Sequence, residues 1–120
     1  MKLEDLQIYS QSMDLAEKIW TFVQKWDYFA KDTIGKQLVR AADSIRANIS
    51  EGFGRFHFRE NVNFGYYSRG SFFETKTWLV KTRNRKLIEE SEFKLLITEL
   101  DDLGVRLNNY IKSIGKTENN

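Results

Sequence analysis

Cysteine and proline are both missing from this chain of 120 residues, and histidine occurs once. Without cysteine there is no disulfide framework, no thiolate zinc or iron–sulfur site and no cysteine nucleophile. No apolar run approaches the roughly 20 residues needed to span a bilayer. Residues 1–10 include Glu4 and Asp5 and lack the apolar core of an export signal, so cytoplasmic residence is expected. Breakers are scarce too, with seven glycines and no proline. Sandwiches and barrels need many turns, so long helices joined by few loops are expected instead.

The residues present are those of a globular protein: 41% are hydrophobic and 30% charged, a balance that supports one buried core. The length suits a single domain, assigned to residues 1–115, with 116–120 read as a frayed, disordered polar tail. Net charge is only +2, but it is unevenly spread. Residues 59–88 carry seven basic and two acidic groups, whereas residues 89–120 carry four basic and seven acidic. That asymmetry bears on partners.

Apolar side chains recur at helical spacing in four stretches. The first predicts a helix with Leu6, Tyr9, Met13, Ala16, Trp20 and Val23 on one face, widened by Ile8, Leu15, Ile19, Phe22 and Trp26. Glu4 and Asp5 suit its first turn, where the helix dipole favours negative charge. A polar connection over 27–32 follows, with Asp32 or Thr33 as N-cap. The second helix presents Ile34, Leu38, Ala41, Ile45, Asn48 and Ile49, and stops at Gly52-Phe53-Gly54, where glycine can turn left-handed. The third starts near Arg59 with Val62, Tyr66, Gly70, Phe73, Thr77 and Val80 inward. After a turn over 84–90, the fourth presents Phe93, Leu96, Leu100, Leu103, Leu107, Tyr110 and Ile114. Helices of about 20 residues with short loops place neighbours antiparallel, so the fold class is all-α, an antiparallel up-and-down four-helix bundle.

The stretch 38–52 reads Leu-Val-Arg-Ala-Ala-Asp-Ser-Ile-Arg-Ala-Asn-Ile-Ser-Glu-Gly. With Gly70-Ser71 followed by Glu74, and Leu87-Ile88 before the fourth helix, it resembles the 23S rRNA intervening-sequence proteins, also called the S23 ribosomal protein family. The resemblance runs over roughly residues 3–114. Many relatives have proline where this chain has Arg46, which removes a possible kink and adds a positive charge. The resemblance implies a four-helix bundle. Some relatives are encoded inside insertions in 23S rRNA genes. A similar group serves diversity-generating retroelements as pentameric accessory proteins that bind nucleic acid and a reverse transcriptase. The expected partners are therefore a second copy of the chain, in a homopentamer, RNA or DNA, and by family analogy a reverse transcriptase.

Two constellations have competing readings. Asn48 and Glu51 share one helix face and Ser71 and Glu74 another, so antiparallel packing could join them with Arg40. Either two carboxylates build a metal or acid–base site, or the five residues form a structural polar network that fixes helix register. Di-metal bundles need Glu-x-x-His pairs, and the one histidine, His57, sits in a loop; the structural reading is preferred, with no metal and no cofactor. His57 has no serine or cysteine nucleophile in context, so no enzyme is expected.

The second constellation is basic. Arg69, Lys76 and Arg83 are seven apart, with Lys81 and Arg85 beside them, Lys86 beyond, and Arg46 on the second helix. Such an array can neutralise phosphates of RNA or DNA with strong salt dependence. The rival reading pairs it with acidic residues of the fourth helix, such as Glu99, Asp101 and Asp102, or of a neighbouring subunit. The 17 aromatic residues, among them Trp20, Trp26, Phe53, Phe56, Phe58, Phe64, Tyr67, Phe72 and Trp78, exceed what one small core needs. Surplus aromatic surface points to self-association. The expected function is a homo-oligomeric bundle that binds nucleic-acid backbone; the alternative is an interaction scaffold whose basic stripe serves subunit contacts.

Overall fold

The computed structural model describes residues 2–3, 6–55 and 57–119, the last five as helix backbone. Glu4, Asp5 and Phe56 lie outside the described residues. Four long helices form a rod of about 50 × 24 × 21 Å. They are α1 (Gln7–Gln24), α2 (Lys36–Phe53), α3 (Phe58–Asn84) and α4 (Glu90–Asn119). The α4 backbone thus crosses most of the span read as a frayed tail. Packing runs α1–α2–α3–α4 and back to α1, with α2 and α3 the most closely packed pair. This is the up-and-down ring that short loops impose.

The α4 seam is buried as its periodicity predicts, with Leu100, Leu103 and Leu107 at 0% exposure. On α2 and the turn that leads into it, Ile34, Leu38, Ala41, Ile45 and Ile49 are buried, joined by Ala42 and Gly52. Helix α1 and its N-cap bury Leu6, Ala16 and Val23 of the expected face and add a second edge. Its core seam is Ile8, Ser12, Leu15, Ile19 and Val23, while Met13 and Trp20 from the expected face are exposed. The core thus draws on both apolar edges of α1 and leaves out Met13 and Trp20.

The largest departure is on α3. Its inward residues are Gly65, Ser68, Phe72, Thr75, Leu79 and Thr82, at alternating steps of three and four. The expected inward face points out, leaving Tyr66 47% and Phe73 57% exposed. Small and hydroxylated side chains make the seam, and each buried hydroxyl is satisfied by a carbonyl. Ser68 donates across to Ile45 O on α2 at 2.7 Å, Thr75 to Ser71 O at 2.7 Å and Thr82 to Trp78 O at 2.9 Å. With these bonds made, burying a hydroxyl carries little penalty, so apolar periodicity gives the wrong face.

Chain reversals correct two further expectations. The helical run into α2 begins at Tyr28, because the Asp27 carboxylate accepts the Ala30 N–H at 2.9 Å. Asp27, not Asp32 or Thr33, is the N-cap; Asp32 and Thr33 lie inside a five-residue π segment, Lys31–Gly35, that feeds α2. The helix stops at the expected glycines, but Gly54 is right-handed at φ −78°. The left-handed residue is Lys86, at φ 58°, after α3. Its N–H bonds Arg83 O at 3.0 Å, and Leu87 N–H reaches Thr82 O at 3.0 Å, closing the helix end as a Schellman turn. A Cβ at this φ costs about 1–2 kcal/mol, so Lys86→Gly is expected to stabilise the protein by roughly 0.5–1 kcal/mol after the added chain entropy of glycine. Urea titration at fixed protein concentration checks this; an unchanged midpoint would mean that the turn is not left-handed.

Candidate interaction surfaces

Helix register decides the fate of the basic row. Arg69 Nη1 donates to Asn108 Oδ1 of α4 at 3.2 Å, and Lys76 Nζ meets Asp101 Oδ1 at 2.8 Å. The Arg83 guanidinium lies 4.5 Å from the Phe93 ring centre. As the α3 number rises by seven the α4 partner falls by about seven, which is the register of antiparallel helices. Arg69, Lys76 and Arg83 therefore line the α3–α4 seam, each engaged by α4. Lys76 thus meets an acid of α4, as the rival reading has it, whereas Arg69 and Arg83 meet an amide and an aromatic ring.

The other three cations of the set are dispersed. Lys81 is exposed and sits 4.8 Å from the Trp78 ring, on the α2 side of α3. Arg85 is exposed at the end of α3, beside exposed Lys86. Arg46 is half-buried over the Tyr9 ring at 5.3 Å, on the far side of the bundle. Its neighbour Asp43 has a carboxyl pushed above its ordinary 3.8, first by desolvation, then by repulsion from Glu17, while Arg46 pulls the other way. A raised carboxyl binds its proton more tightly when folded. Its favourable contribution is complete below the unfolded value and is lost as pH rises through the folded one. Asp43→Asn is therefore expected to raise the melting temperature slightly at pH 7 and not at pH 3; an equal change at both would assign the effect to packing.

The five residues read as a polar network do not meet. No hydrogen bond joins any two of them among the described residues. Asn48 Nδ2 donates to Ser44 O in its own helix at 2.9 Å. Glu51 pairs with Arg55 at 2.5 Å, Glu74 accepts from Trp78 Nε1 at 3.4 Å, and Arg40 is exposed. Antiparallel packing does bring α2 and α3 together, but through Gly52. A Cβ there would stand 2.8 Å from both Asn61 Oδ1 and Phe64 Cβ. His57 is exposed and precedes α3, where its carbonyl accepts the Asn61 N–H at 3.2 Å. Among the described residues, no three acidic or histidine side chains converge as metal ligands. Among the described residues, no helix is long and apolar enough to cross a membrane.

Among the described residues, Phe29, Tyr67 and Leu95 are exposed singly, and two broader apolar surfaces stand beside them. One is the outer face of α3, with Tyr66 and Phe73. The other is an open groove between α1 and the start of α2. Val23, Gly35 and Val39 are its more buried lining, Trp20 and Tyr28 stand exposed at its margin, and Lys31, Lys36 and Arg40 follow one side. Lys31 and Lys36 drew no notice in sequence because the π segment that aligns them leaves no composition signal.

A family model described as 23S rRNA-intervening sequence protein matches residues 4–109. The chain belongs to that family. Among solved structures, a protein of unknown function from the S23 ribosomal protein family of Bacteroides thetaiotaomicron, determined at 1.70 Å resolution, aligns with a TM-score of 0.79. The alignment covers 88% of this chain and 95% of that one, at 19% identity, which speaks for the shared fold alone. No curated protein matches. In this intervening-sequence protein the stretch that carries the resemblance is largely a packing device. Ala41, Ala42, Ile45 and Ile49 are core residues, and Gly52 allows the closest α2–α3 approach.

Proposed function

We propose that this protein is a non-catalytic, self-associating bundle whose subunit contact is the outer face of α3. The observation that carries this reading is the outward turn of Tyr66 and Phe73. They are 47% and 57% exposed on a helix whose core seam is complete without them. Burying such a face stabilises association by roughly 25 cal/mol per Å² of apolar area, less the cost of ordering. The family resemblance suggests a pentamer. The test is light scattering coupled to size exclusion. The wild type is expected at about five times its 14.2 kDa chain mass, and Tyr66→Ser/Phe73→Ser at a smaller mass with unchanged helix content. A wild-type monomer at micromolar concentration overturns the reading.

Backbone binding of RNA or DNA is a second reading, supported by Lys81, Arg85 and Lys86. They are exposed at the end of α3 and make no ion pair among the described residues. Lys76 and Arg69 contribute less, being held by α4. With these three cations the slope of log affinity against log salt is expected at roughly −2 to −3, and Lys81→Glu/Arg85→Glu removes most of the binding. An unchanged affinity in that variant, measured by filter binding, refutes this site.

A further inference from the structure

We propose that the groove between α1 and the start of α2 takes an acidic amphipathic helix from a partner protein. The π segment creates the site. Lys36 N–H bonds the Lys31 carbonyl, an i→i+5 bond, so two residues five apart sit one turn apart on the same side. In a regular α-helix they would be about 140° apart. Arg40 follows Lys36 by four, and the three cations form one row about 13 Å long, at one helical turn per step. None of the three makes an ion pair among the described residues. Asp32 is the only acid lining the groove, against these three bases.

The α1 wall, with Trp20, Val23 and Gln24, carries no charge, and Tyr28 and Val39 add apolar surface beside the cations. Trp20 is 51% and Tyr28 79% exposed, above the more buried Val23 and Val39. One cationic wall and one apolar wall complement a helix with an apolar stripe flanked on one side by acids at one-turn spacing. This is helix-in-groove recognition read through anchors at i, i+4 and i+7. The exposed Trp20 and Tyr28 rings would also suit base stacking, and the oligonucleotide arm of the test decides between the two occupants. The π turn adds weight, since such distortions concentrate at functional sites.

The test uses the full chain and fluorescence polarisation. The probe is a labelled designed helix with leucines at i, i+4 and i+7 and glutamates along one flank. Micromolar binding is expected, falling at least roughly tenfold in Lys36→Glu/Arg40→Glu, which alters only exposed side chains. A lysine-flanked version of the same probe should bind that variant and not the wild type. Absence of binding, or equal binding of both probes, overturns the proposal. So does a thymidine oligonucleotide that binds the wild type here and is lost in the variant. If the variant's mass by light scattering falls, the groove is a contact between copies and the proposal fails. An unchanged mass keeps this site distinct from the α3 face.

Discussion

Leu100→Ala is expected to cost about 3–5 kcal/mol, the upper part of the range for a leucine removed from a rigid core. Leu100 is 0% exposed and sits mid-way along the α4 seam, with Leu96 and Leu103 a turn away on either side. The rod is only 24 × 21 Å in cross-section, so one layer of side chains fills its interior. Four helix backbones at fixed register cannot close around the void, and the lost contacts are not replaced. Domains of this kind hold about 5–15 kcal/mol in total, so the variant is expected to be partly unfolded at 37 °C. Guanidinium titration at constant protein concentration measures the loss, because self-association adds to apparent stability. A change below about 1 kcal/mol would show that the seam is not closed.

Gly104→Val is the second large effect, in the opposite sense of volume. A Cβ at Gly104 would stand 2.5 Å from Phe72 Cζ and 2.8 Å from Cε1. The Phe72 ring is buried and set edge-on to Phe73 at 4.9 Å between centres, so it has little room to turn. Valine gains helix propensity over glycine by a few tenths of a kcal/mol, against about 1–3 kcal/mol for overpacking. The net loss is expected at about 2 kcal/mol. Phe72→Ala costs stability alone, yet in combination should absorb the valine, giving a coupling of about 1–2 kcal/mol in a double-mutant cycle. Additive losses would mean that Gly104 does not hold the ring.

Legibility differed by helix. Leucines at heptad spacing made α4 plain, since no other face of that helix could be buried. Helix α2 was equally clear in its interior, yet its start was misjudged, because Asp27 acts as a cap only once the chain has turned past Trp26. There Trp26 Nε1 donates to Leu87 O at 2.9 Å, which ties that turn to the far loop. On α3 the apolar pattern named the outer face. Serine and threonine went inward because carbonyls, one of them on α2, stood within reach of their hydroxyls.

The same division holds for the surface. The spacing of Arg69, Lys76 and Arg83 was visible, and so was the acidity of α4. Their pairing depends on helix register, which places Asn108 and Asp101 opposite the first two. The row Lys31, Lys36 and Arg40 exists only through a π turn.

Composition and periodicity alone therefore determined that this is an all-helical chain, with α2 and α4 buried through their leucines and isoleucines; of the aromatics expected as surplus, Phe72 is in the core and Trp26, Phe53 and Trp78 pack against it, whereas Trp20, Phe58 and Tyr67 are exposed. Only the tertiary structure decided which edges of α1 and α3 face the core, which cations are engaged and where the apolar surfaces lie. The physical reason is that burial of apolar side chains is a local, additive preference that sequence records. Hydroxyl satisfaction, interhelical register and backbone irregularity arise from groups far apart in the chain.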